Sequence, residues 1–423
     1  MDVMKLRYVL LTVIILVLSI PVHAQFSVSK LFRSSMLLQR DVEIPVWGWG
    51  VAGDSISLNF SDSVRIAIVD ESGKWKVWLP AFAAGGPHTL EISSATQSLN
   101  YTDIVLGDVY MISGQSNMEW ILSAADGGLL EGATANFPDI REFKIPKSTA
   151  SEISDRLTSG SWRKATNGQA GTFSAIGYYF AKNIHLNEEV PVGLINNSYG
   201  GARIEAFMSE QMLGFDETDV NLANGETERQ PTLIYNKMVH PILPFAYKGI
   251  LWYQGESNGD SMEDALGYGD LFKTMISAWR DSLGQSNLPF LWVQLPNFGE
   301  PVGETPSTWD AWPQLRAQQS EALALPNTAE AITIDVGSID IHPTNKEPVG
   351  NRLALLARNL IYGDSIVAQS PRYQGNTLTD SGTVIVKFDL SGSSLIAANG
   401  TDSNSLPAFA IADENNQFIW ADA

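Results

Sequence analysis

The sequence contains no cysteine among its 423 residues. The chain therefore has no disulfide bond, no zinc site built from thiolates and no cysteine nucleophile. Positive charge is also scarce, because 27 lysines and arginines face 47 acidic residues and the formal net charge is −20. Nucleic acids and anionic membranes attract cationic surfaces, so this charge argues against either as a partner.

Patterns of metal-binding sites are missing as well. The sequence has no His-x-x-x-His pair and no acidic loop with the ligand spacing of a calcium site. We therefore expect neither a metal nor another cofactor.

The run Gly114 to Met118 does not match the Gly-x-Ser-x-Gly turn of an α/β-hydrolase, because methionine occupies the last position.

The first residues have the pattern of a targeting segment. Lys5 and Arg7 precede an apolar run over residues 8–20, and Val22-His-Ala24 is a small-residue cleavage site. The run is short for the ~20 residues that span a membrane. We predict a signal peptide over residues 1–24 and a secreted or periplasmic mature protein.

The rest of the chain divides into three regions by its pattern. Residues 25–103 carry short alternating strands separated by Gly, Asp and Ser, which predicts an N-terminal domain resembling a β-sandwich. Residues 104–363 alternate apolar strands with helices, which predicts an α/β fold: a parallel sheet with helices on both faces. Residues 364–423 return to strand-like patterns and are expected to form a short C-terminal β-region.

The predicted elements can be given by their bounds. The N-terminal strands are Val42–Trp47, Ser55–Phe60, Lys74–Leu79 and His88–Ile92. The strands of the middle region are Val109–Ile112, Val192–Asn196, Gly249–Tyr253, Phe290–Gln294 and Ala331–Asp335. Its helices are Gly177–Leu186, Ala265–Ser282, Trp312–Leu323 and Lys346–Ile361. The C-terminal strands are Thr383–Phe388 and Ala408–Ala412.

Ser116 is the candidate nucleophile around which the chain is organised. It lies at the junction between the strand Val109–Ile112 and a helix predicted to begin at Asn117. Free backbone N–H groups and the positive end of the helix dipole converge at such a junction. A hydroxyl there can act as a nucleophile whose oxyanion lies beside ready donors. The alternative is that Ser116 only caps the helix, as serine often does.

The neighbouring residues favour the nucleophile. The run Gly114-Gln-Ser-Asn-Met118 resembles the nucleophile block of the SGNH hydrolases, in the branch that contains the sialate O-acetylesterases. Three later blocks match this branch in order, namely Asn196–Ala206, Leu251–Asn258, and Asp340–Lys346 followed by Val349–Ala354. The resemblance extends from about Leu31 to the end. Members of the family continue beyond this point, so the C-terminal β-region is expected to be incomplete.

A serine nucleophile needs a base, and histidine is the usual one. His342 follows the predicted strand Ala331–Asp335 in a loop, where the fold would present a base to Ser116. Asp340 is the predicted acid that orients His342. Asp335 is the rival for this role, and a Ser–His dyad oriented by a backbone carbonyl is the third possibility.

The resemblance also implies an oxyanion hole. The backbone N–H groups of Ser116 and Gly201 are expected to donate two of its hydrogen bonds, since the preceding glycine permits a close backbone approach. A side-chain amide of Gln254 or Asn258 is the expected third donor. The alternative role for both amides is structural, in which they only form hydrogen bonds that close the loops.

Together these residues predict an exported serine esterase. The resemblance implies removal of O-acetyl groups from carbohydrate, with O-acetylated sialic acid as the expected substrate. Acetylxylan or another acetylated plant glycan is the alternative substrate. A catalytically silent carbohydrate-binding protein is the alternative of a different class. No nucleic-acid partner and no membrane contact beyond export are expected.

Overall fold

The structure is a computed structural model that describes residues 26–214, 227–300, 306, 310–390, 392, 409–415 and 417–421. The predicted signal peptide, residues 1–24, lies outside the described residues. Among the helices within these ranges, none combines the length and the hydropathy that a membrane span requires.

The described chain contains strands, helices and short 3₁₀ or π turns. The strands are β1 (Ser27–Val28), β2 (Leu37–Gln39), β3 (Ile44–Trp49), β4 (Ser55–Phe60), β5 (Ser63–Ile68), β6 (Lys74–Leu79), β7 (Gly85–Ser93), β8 (Ser98–Gly114), β9 (Asn136–Lys144), β10 (Trp162–Thr166), β11 (Val192–Ser198), β12 (Gly249–Tyr253), β13 (Phe290–Val293), β14 (Thr328–Ala331), β15 (Arg372–Leu378), β16 (Val384–Asp389), β17 (Ala410–Ala412) and β18 (Phe418–Trp420). The α-helices are α1 (Ser116–Glu119), α2 (Gly128–Thr134), α3 (Ala175–Glu188), α4 (Glu210–Leu213), α5 (Met262–Leu283), α6 (Ala311–Ser320) and α7 (Glu347–Ala357). The 3₁₀ turns are Leu122–Ala124, Ala170–Thr172, Ile204–Phe207, His240–Ile242, Glu256–Asn258 and Glu321–Ala324, and the π turns are Tyr235–Val239 and Arg358–Tyr362.

A mainly parallel sheet forms the centre of the fold, in the order β10-β9-β11-β8-β12-β13-β14. Every neighbouring pair from β9 to β14 is parallel, and only β10 at the edge runs antiparallel to its neighbour. The carboxyl ends of the parallel strands therefore meet at one edge of the sheet, where such folds carry their sites.

Strand β8 runs through both the N-terminal and the central part of the fold. Its first part pairs with β7 and β2, and its last part lies between β11 and β12. Over the first six of its 17 residues exposure alternates, and the remaining residues are all buried. This change fits the surroundings, because a parallel strand covered on both faces has no solvent-facing side.

Helices cover both faces of the central sheet. Tyr110 and Ser113 point to opposite faces of β8, because successive side chains of a strand alternate. Helix α3 packs on the face of Tyr110, whose ring lies 4.8 Å from that of Phe180. Trp252 is paired with Ser113, so it lies on the other face, where Phe272 of α5 stacks on it at 6.3 Å. The predicted α/β class is confirmed.

The N-terminal strands form two groups. Strands β5, β4 and β7 make antiparallel pairs in that order, and β7 joins this group to β8. Strands β1, β3 and β6 form a separate three-stranded antiparallel sheet. Strand β5 is absent from the sequence-based prediction. Its apolar residues Val64, Ile66 and Ile68 do alternate, but they are exposed, whereas Ser63 and Ala67 are buried.

Two antiparallel hairpins follow the central fold, β15 with β16 and β17 with β18. The first is tied to the central sheet through a buried carboxylate. Arg372 Nη1 donates to Glu330 Oε2 over 2.5 Å, and Glu330 lies in β14 with 1% of its surface exposed. A buried charge needs such a partner, so this ion pair fixes the start of the hairpin.

The predicted strand Ala331–Asp335 is wrong in its position. The structure places β14 at Thr328–Ala331, with Val293 of β13 opposite Ala331. The buried Glu330 explains the error, because its carboxylate is satisfied by Trp292 and Arg372 and can occupy an interior position. Asp335 consequently lies in the turn beyond the strand, where Val336 N–H donates to Thr333 C=O.

Gly114 can be tested as the residue that lets the chain turn at the end of β8. Its φ is +132°, and a Cβ added there would lie 2.0 Å from the carbonyl oxygen of Tyr253. We expect Gly114→Ala to lower the free energy of unfolding by about 2–5 kcal/mol, through backbone strain and overpacking together. Urea denaturation followed by tryptophan fluorescence measures this change.

Gly53→Ala is the matched control, since Gly53 also has a positive φ, +87°, but an added Cβ would meet no atom within 4 Å. It should cost only about 1–2 kcal/mol, the strain of a left-handed backbone. Equal unfolding curves for the two variants would contradict the close approach of β8 and β12.

Candidate active site

Ser116 opens helix α1 directly after the turn at the end of β8. The turn is held by Gln115, whose backbone N–H donates to Tyr253 C=O over 2.9 Å. Within the described part of the chain, the N–H of Ser116 donates to no other residue. The predicted strand-to-helix junction is therefore present, with an unpaired donor at the hydroxyl-bearing residue.

His342 meets Ser116 from a distant segment of the chain. Its Nε2 lies 2.8 Å from Ser116 Oγ, although 226 positions separate the two residues. The Trp120 ring stacks on the imidazole at 5.4 Å between centroids and 21° between planes. The imidazole is thus held by a hydrogen bond at its edge and by an aromatic ring on its face.

The two candidate acids occupy different surroundings. Asp340 Oδ1 lies 3.4 Å from His342 Nδ1 and accepts the backbone N–H of His342 over 2.8 Å. Both carboxylate oxygens of Asp335 instead accept from Arg352 over 2.6 Å. This hydrogen-bonded pair lowers the pKa of Asp335 below its ordinary value. The structure thus brings Asp340, and not Asp335, to the imidazole.

The loop after β11 approaches Ser116 closely. A Cβ added to Gly200 would lie 3.4 Å from Ser116 Cβ, so this backbone runs against the Ser116 side chain. Gly201 follows with φ +80°, a conformation that favours glycine. In the described ranges its N–H, like that of Ser116, has no acceptor. The two predicted backbone donors are therefore both unpaired, and the residue before Gly201 lies against the Ser116 side chain.

The predicted side-chain donors are engaged elsewhere. Gln254 Nε2 donates to Ala202 C=O over 3.1 Å and to Asn258 Oδ1 over 2.8 Å. Asn258 Nδ2 donates to the carboxylate of Glu205 over 3.0 Å. Both amides are fully buried and hold the loop that carries Gly201. In this conformation neither amide is available as a third donor to the oxyanion.

Three buried residues lie beneath the site; sequence reasoning gave Asn117 and Lys346 no role there and expected Glu256 to brace the loops, with its charge able to touch substrate. Asn117 Nδ2 donates to Glu256 Oε1 over 2.5 Å, and Asn117 Oδ1 accepts from Lys346 Nζ. Burial raises the pKa of Glu256 to about 7 and lowers the pKa of Lys346 to about 7. The available signal was their position inside the matched blocks, because charged residues are rarely buried without a specific partner.

Gly255 to Gly259 is a second serine-containing run, and it does fit Gly-x-Ser-x-Gly. Its serine has a different surrounding from that of Ser116. Ser257 Oγ donates to Gly201 C=O over 2.9 Å, and no described histidine contacts it. Ser257 therefore supports the loop of Gly201, and the hydroxyl paired with a base is that of Ser116.

The described residues contain no group of three or more His, Cys, Asp or Glu side chains placed to hold a metal ion. The hydroxyl of Ser116 and the imidazole of His342 do meet, and the segments beside them carry two unpaired backbone N–H donors. This set suits acyl transfer, in which a nucleophile attacks a carbonyl and nearby donors stabilise the developing oxyanion.

Comparisons with known proteins agree with this chemistry. Residues 106–356 match the family model described as carbohydrate esterase, sialic acid-specific acetylesterase. The Sialate O-acetylesterase of Mus musculus is 28% identical over 414 residues, covering 82% of this chain and 75% of that protein. The Sialate O-acetylesterase of Homo sapiens is 28% identical over 380 residues, covering 80% and 72%.

A solved structure is also similar over nearly the whole chain. A carbohydrate acetylesterase from Xanthomonas citri superposes with a TM-score of 0.87 and 40% identity, covering 94% of this chain and 88% of that one. The family match spans more than half of the chain and includes the segments of both Ser116 and His342. The protein is therefore a carboxylic ester hydrolase, and it belongs to the sialic acid-specific acetylesterase family of carbohydrate esterases.

Proposed function

We propose that the protein is an exported serine esterase that removes O-acetyl groups from carbohydrate through an acyl-serine intermediate. The observation that carries this proposal is the distance of 2.8 Å between His342 Nε2 and Ser116 Oγ. A nucleophile and its base must lie within hydrogen-bond reach of each other, and these two do.

The reaction has two halves. Ser116 Oγ bonds to the acetyl carbon while its proton passes to His342 Nε2, and the carbonyl oxygen becomes an oxyanion. The ester bond to the sugar oxygen then breaks, and the imidazolium gives its proton to that oxygen. A water molecule then attacks the acyl carbon while giving a proton to His342 Nε2. The bond to Ser116 Oγ breaks, acetate leaves, and the imidazolium returns the proton to Ser116 Oγ.

The oxyanion in both halves is bound by backbone donors. The N–H groups of Ser116 and Gly201 are the proposed pair, since both are unpaired in the described chain. Gln254 and Asn258 support this pair indirectly, because their hydrogen bonds hold the loop between Ala202 and Ile204. A donor fixed before reaction needs no reorganisation as charge develops, which is the source of its effect on rate.

O-acetylated sialic acid is the proposed substrate. The curated relatives from mouse and human are both described as sialate O-acetylesterases. Acetylxylan or another acetylated plant glycan is the second candidate, because the relative with 40% identity is described more broadly as a carbohydrate acetylesterase. Acetate release from O-acetylated sialic acids and from acetylxylan, compared by kcat/KM, distinguishes the two.

The domain boundaries that we propose are those predicted from the sequence. Residues 1–24 are the proposed signal peptide, residues 25–103 the N-terminal β-domain with a sandwich-like arrangement, residues 104–363 the esterase domain, and residues 364–423 a C-terminal β-region. The small-residue cleavage site after an apolar run supports the proposed secreted or periplasmic location. The net charge of −20 argues against nucleic acid as a partner.

Ser116→Ala tests the nucleophile. We expect the substitution to lower kcat for p-nitrophenyl acetate by at least about 10³-fold, since the residual rate comes only from binding and the oxyanion donors. The thermal midpoint should change little, because among the described residues the hydroxyl bonds only to His342. Turnover within tenfold of the wild-type rate, in a folded variant, would remove Ser116 from the reaction.

Asp340→Asn tests the orienting acid. The substitution keeps the shape of the side chain and removes the charge 3.4 Å from His342 Nδ1. We expect kcat to fall by about 10²-fold, less than the ~10⁴-fold known for a buried triad aspartate, because 74% of the Asp340 side chain is exposed. Steady-state kinetics on p-nitrophenyl acetate measures the change.

Asp335→Asn is the matched comparison for Asp340→Asn. Asp335 is bound by Arg352, so its substitution should alter kcat by less than about threefold and stability by about 0–1 kcal/mol. Damage to Asp335→Asn with a nearly normal Asp340→Asn would exchange the two roles. If neither variant loses more than about tenfold in kcat, Ser116 and His342 act as a dyad.

A further inference from the structure

A buried polar cluster lies beside the proposed nucleophile. Asn117 is fully buried, and Glu256 and Lys346 are each only 2% exposed. Burial of a carboxylate and an amine costs free energy unless specific partners compensate it. Such a cluster beneath a candidate site therefore needs a structural or functional reason.

The hydrogen bonds of Asn117 fix the orientation of its amide. Its Oδ1 accepts from Lys346 Nζ, and its Nδ2 donates to Glu256 Oε1 over 2.5 Å and to Ile341 C=O over 2.9 Å. A carbonyl oxygen can only accept, so the contact with Ile341 requires the NH₂ group on that side. The contact with Lys346 requires the same orientation. If the amide were turned over, its NH₂ group would face Lys346 Nζ, which can only donate.

One of these bonds joins the two segments that carry the reacting atoms. Asn117 directly follows Ser116, and Ile341 directly precedes His342. The bond from Asn117 Nδ2 to Ile341 C=O spans 224 positions of sequence. It therefore connects the nucleophile segment to the base segment one residue away from the Oγ–Nε2 contact.

Apart from the contacts of the imidazole itself, the other contacts of the base loop lie farther along it. Thr344 C=O accepts from the N–H of Asp126, and Gly337 N–H donates to Asn297 Oδ1 over 2.8 Å. These contacts anchor the two ends of the loop. The Asn117 bond acts at its middle, next to the imidazole, so its loss would leave the loop attached while freeing His342 to shift.

We propose that Asn117 is a positioning residue, which sets the distance between Ser116 and His342 by bonding the Ile341 carbonyl, with Lys346 and Glu256 holding its amide in the required orientation. The proposal rests on the proposed function, in which His342 takes the proton of Ser116. A displacement of about 1 Å between reacting groups can lower a rate by about 10²-fold, so this contact is expected to govern kcat.

Asn117→Asp is the direct test. The substitution preserves shape but puts a second oxygen against the Ile341 carbonyl and the Glu256 carboxylate. We expect kcat for p-nitrophenyl acetate to fall at least about 100-fold with KM within about threefold of wild type, as a change in positioning predicts. Kinetics are measured at a temperature below the thermal midpoint of every variant.

Asn236→Asp is the matched control. Asn236 is also buried, and its Nδ2 donates to the carbonyls of Ala150 and Ser151 over 3.2 and 3.1 Å. Its substitution creates the same oxygen–oxygen conflict away from Ser116 and His342. The control should lose thermal stability like Asn117→Asp but keep kcat within about threefold of wild type.

Asn117→Ala covers the case in which Asn117→Asp fails to fold, because it removes the amide without adding a carboxylate. It should lower kcat at least about tenfold with little change in KM. A folded Asn117 variant whose kcat stays within threefold, or a control that loses as much kcat as Asn117→Asp, would overturn the proposal. Ser116→Ala in the same assay keeps the two proposals apart, since turnover without that hydroxyl would refute the proposed function itself.

Discussion

The site depends on the register of strand β8 between β11 and β12. Gly114, the last residue of β8, pairs with Ser198 on one side and with Tyr253 on the other. Three polypeptide segments therefore leave the sheet at the same level: Ser116 from the middle strand, Gly201 from one neighbour and Glu256 from the other. A shift of this register by one residue would reverse the side chains of the strand and separate these groups.

Buried polar side chains extend this arrangement beyond the sheet. Gln254 and Asn258 hold the loop of Gly201, while Asn117 bonds the carbonyl next to His342. Burial moves the pKa values of Glu256 and Lys346 toward each other, to about 7 in both cases, so each group is easier to neutralise than in water. The amide of Asn117 is bonded through both its oxygen and its nitrogen, whereas Glu256 Oε2 has no partner among the described residues. Bonded groups in a low-dielectric interior resist rearrangement, which suits groups that must keep fixed distances.

Much of the sheet could be predicted from sequence, because its apolar runs are near-continuous. Gly249–Tyr253 has the predicted bounds, whereas the last strand is displaced to Thr328–Ala331, since its buried Glu330 is compensated by a partner, Arg372, more than 40 residues away. Ser116, His342 and Asp340 were identified as candidates from local patterns and a family resemblance. The contacts of Asn117 could not be predicted, since its partners lie 139 to 229 positions along the chain.

The acyl-serine intermediate is the central claim, and rapid acid quenching tests it most directly. Wild-type protein is mixed with an excess of p-nitrophenyl acetate, quenched within the first turnover, digested and analysed by mass spectrometry. The account predicts one acetyl group on the peptide that contains Ser116, appearing with the nitrophenolate burst and absent from the Ser116→Ala variant. Hydrolysis at the wild-type rate with the acetyl group on another residue, or with no acetylated peptide at any quench time, would contradict it.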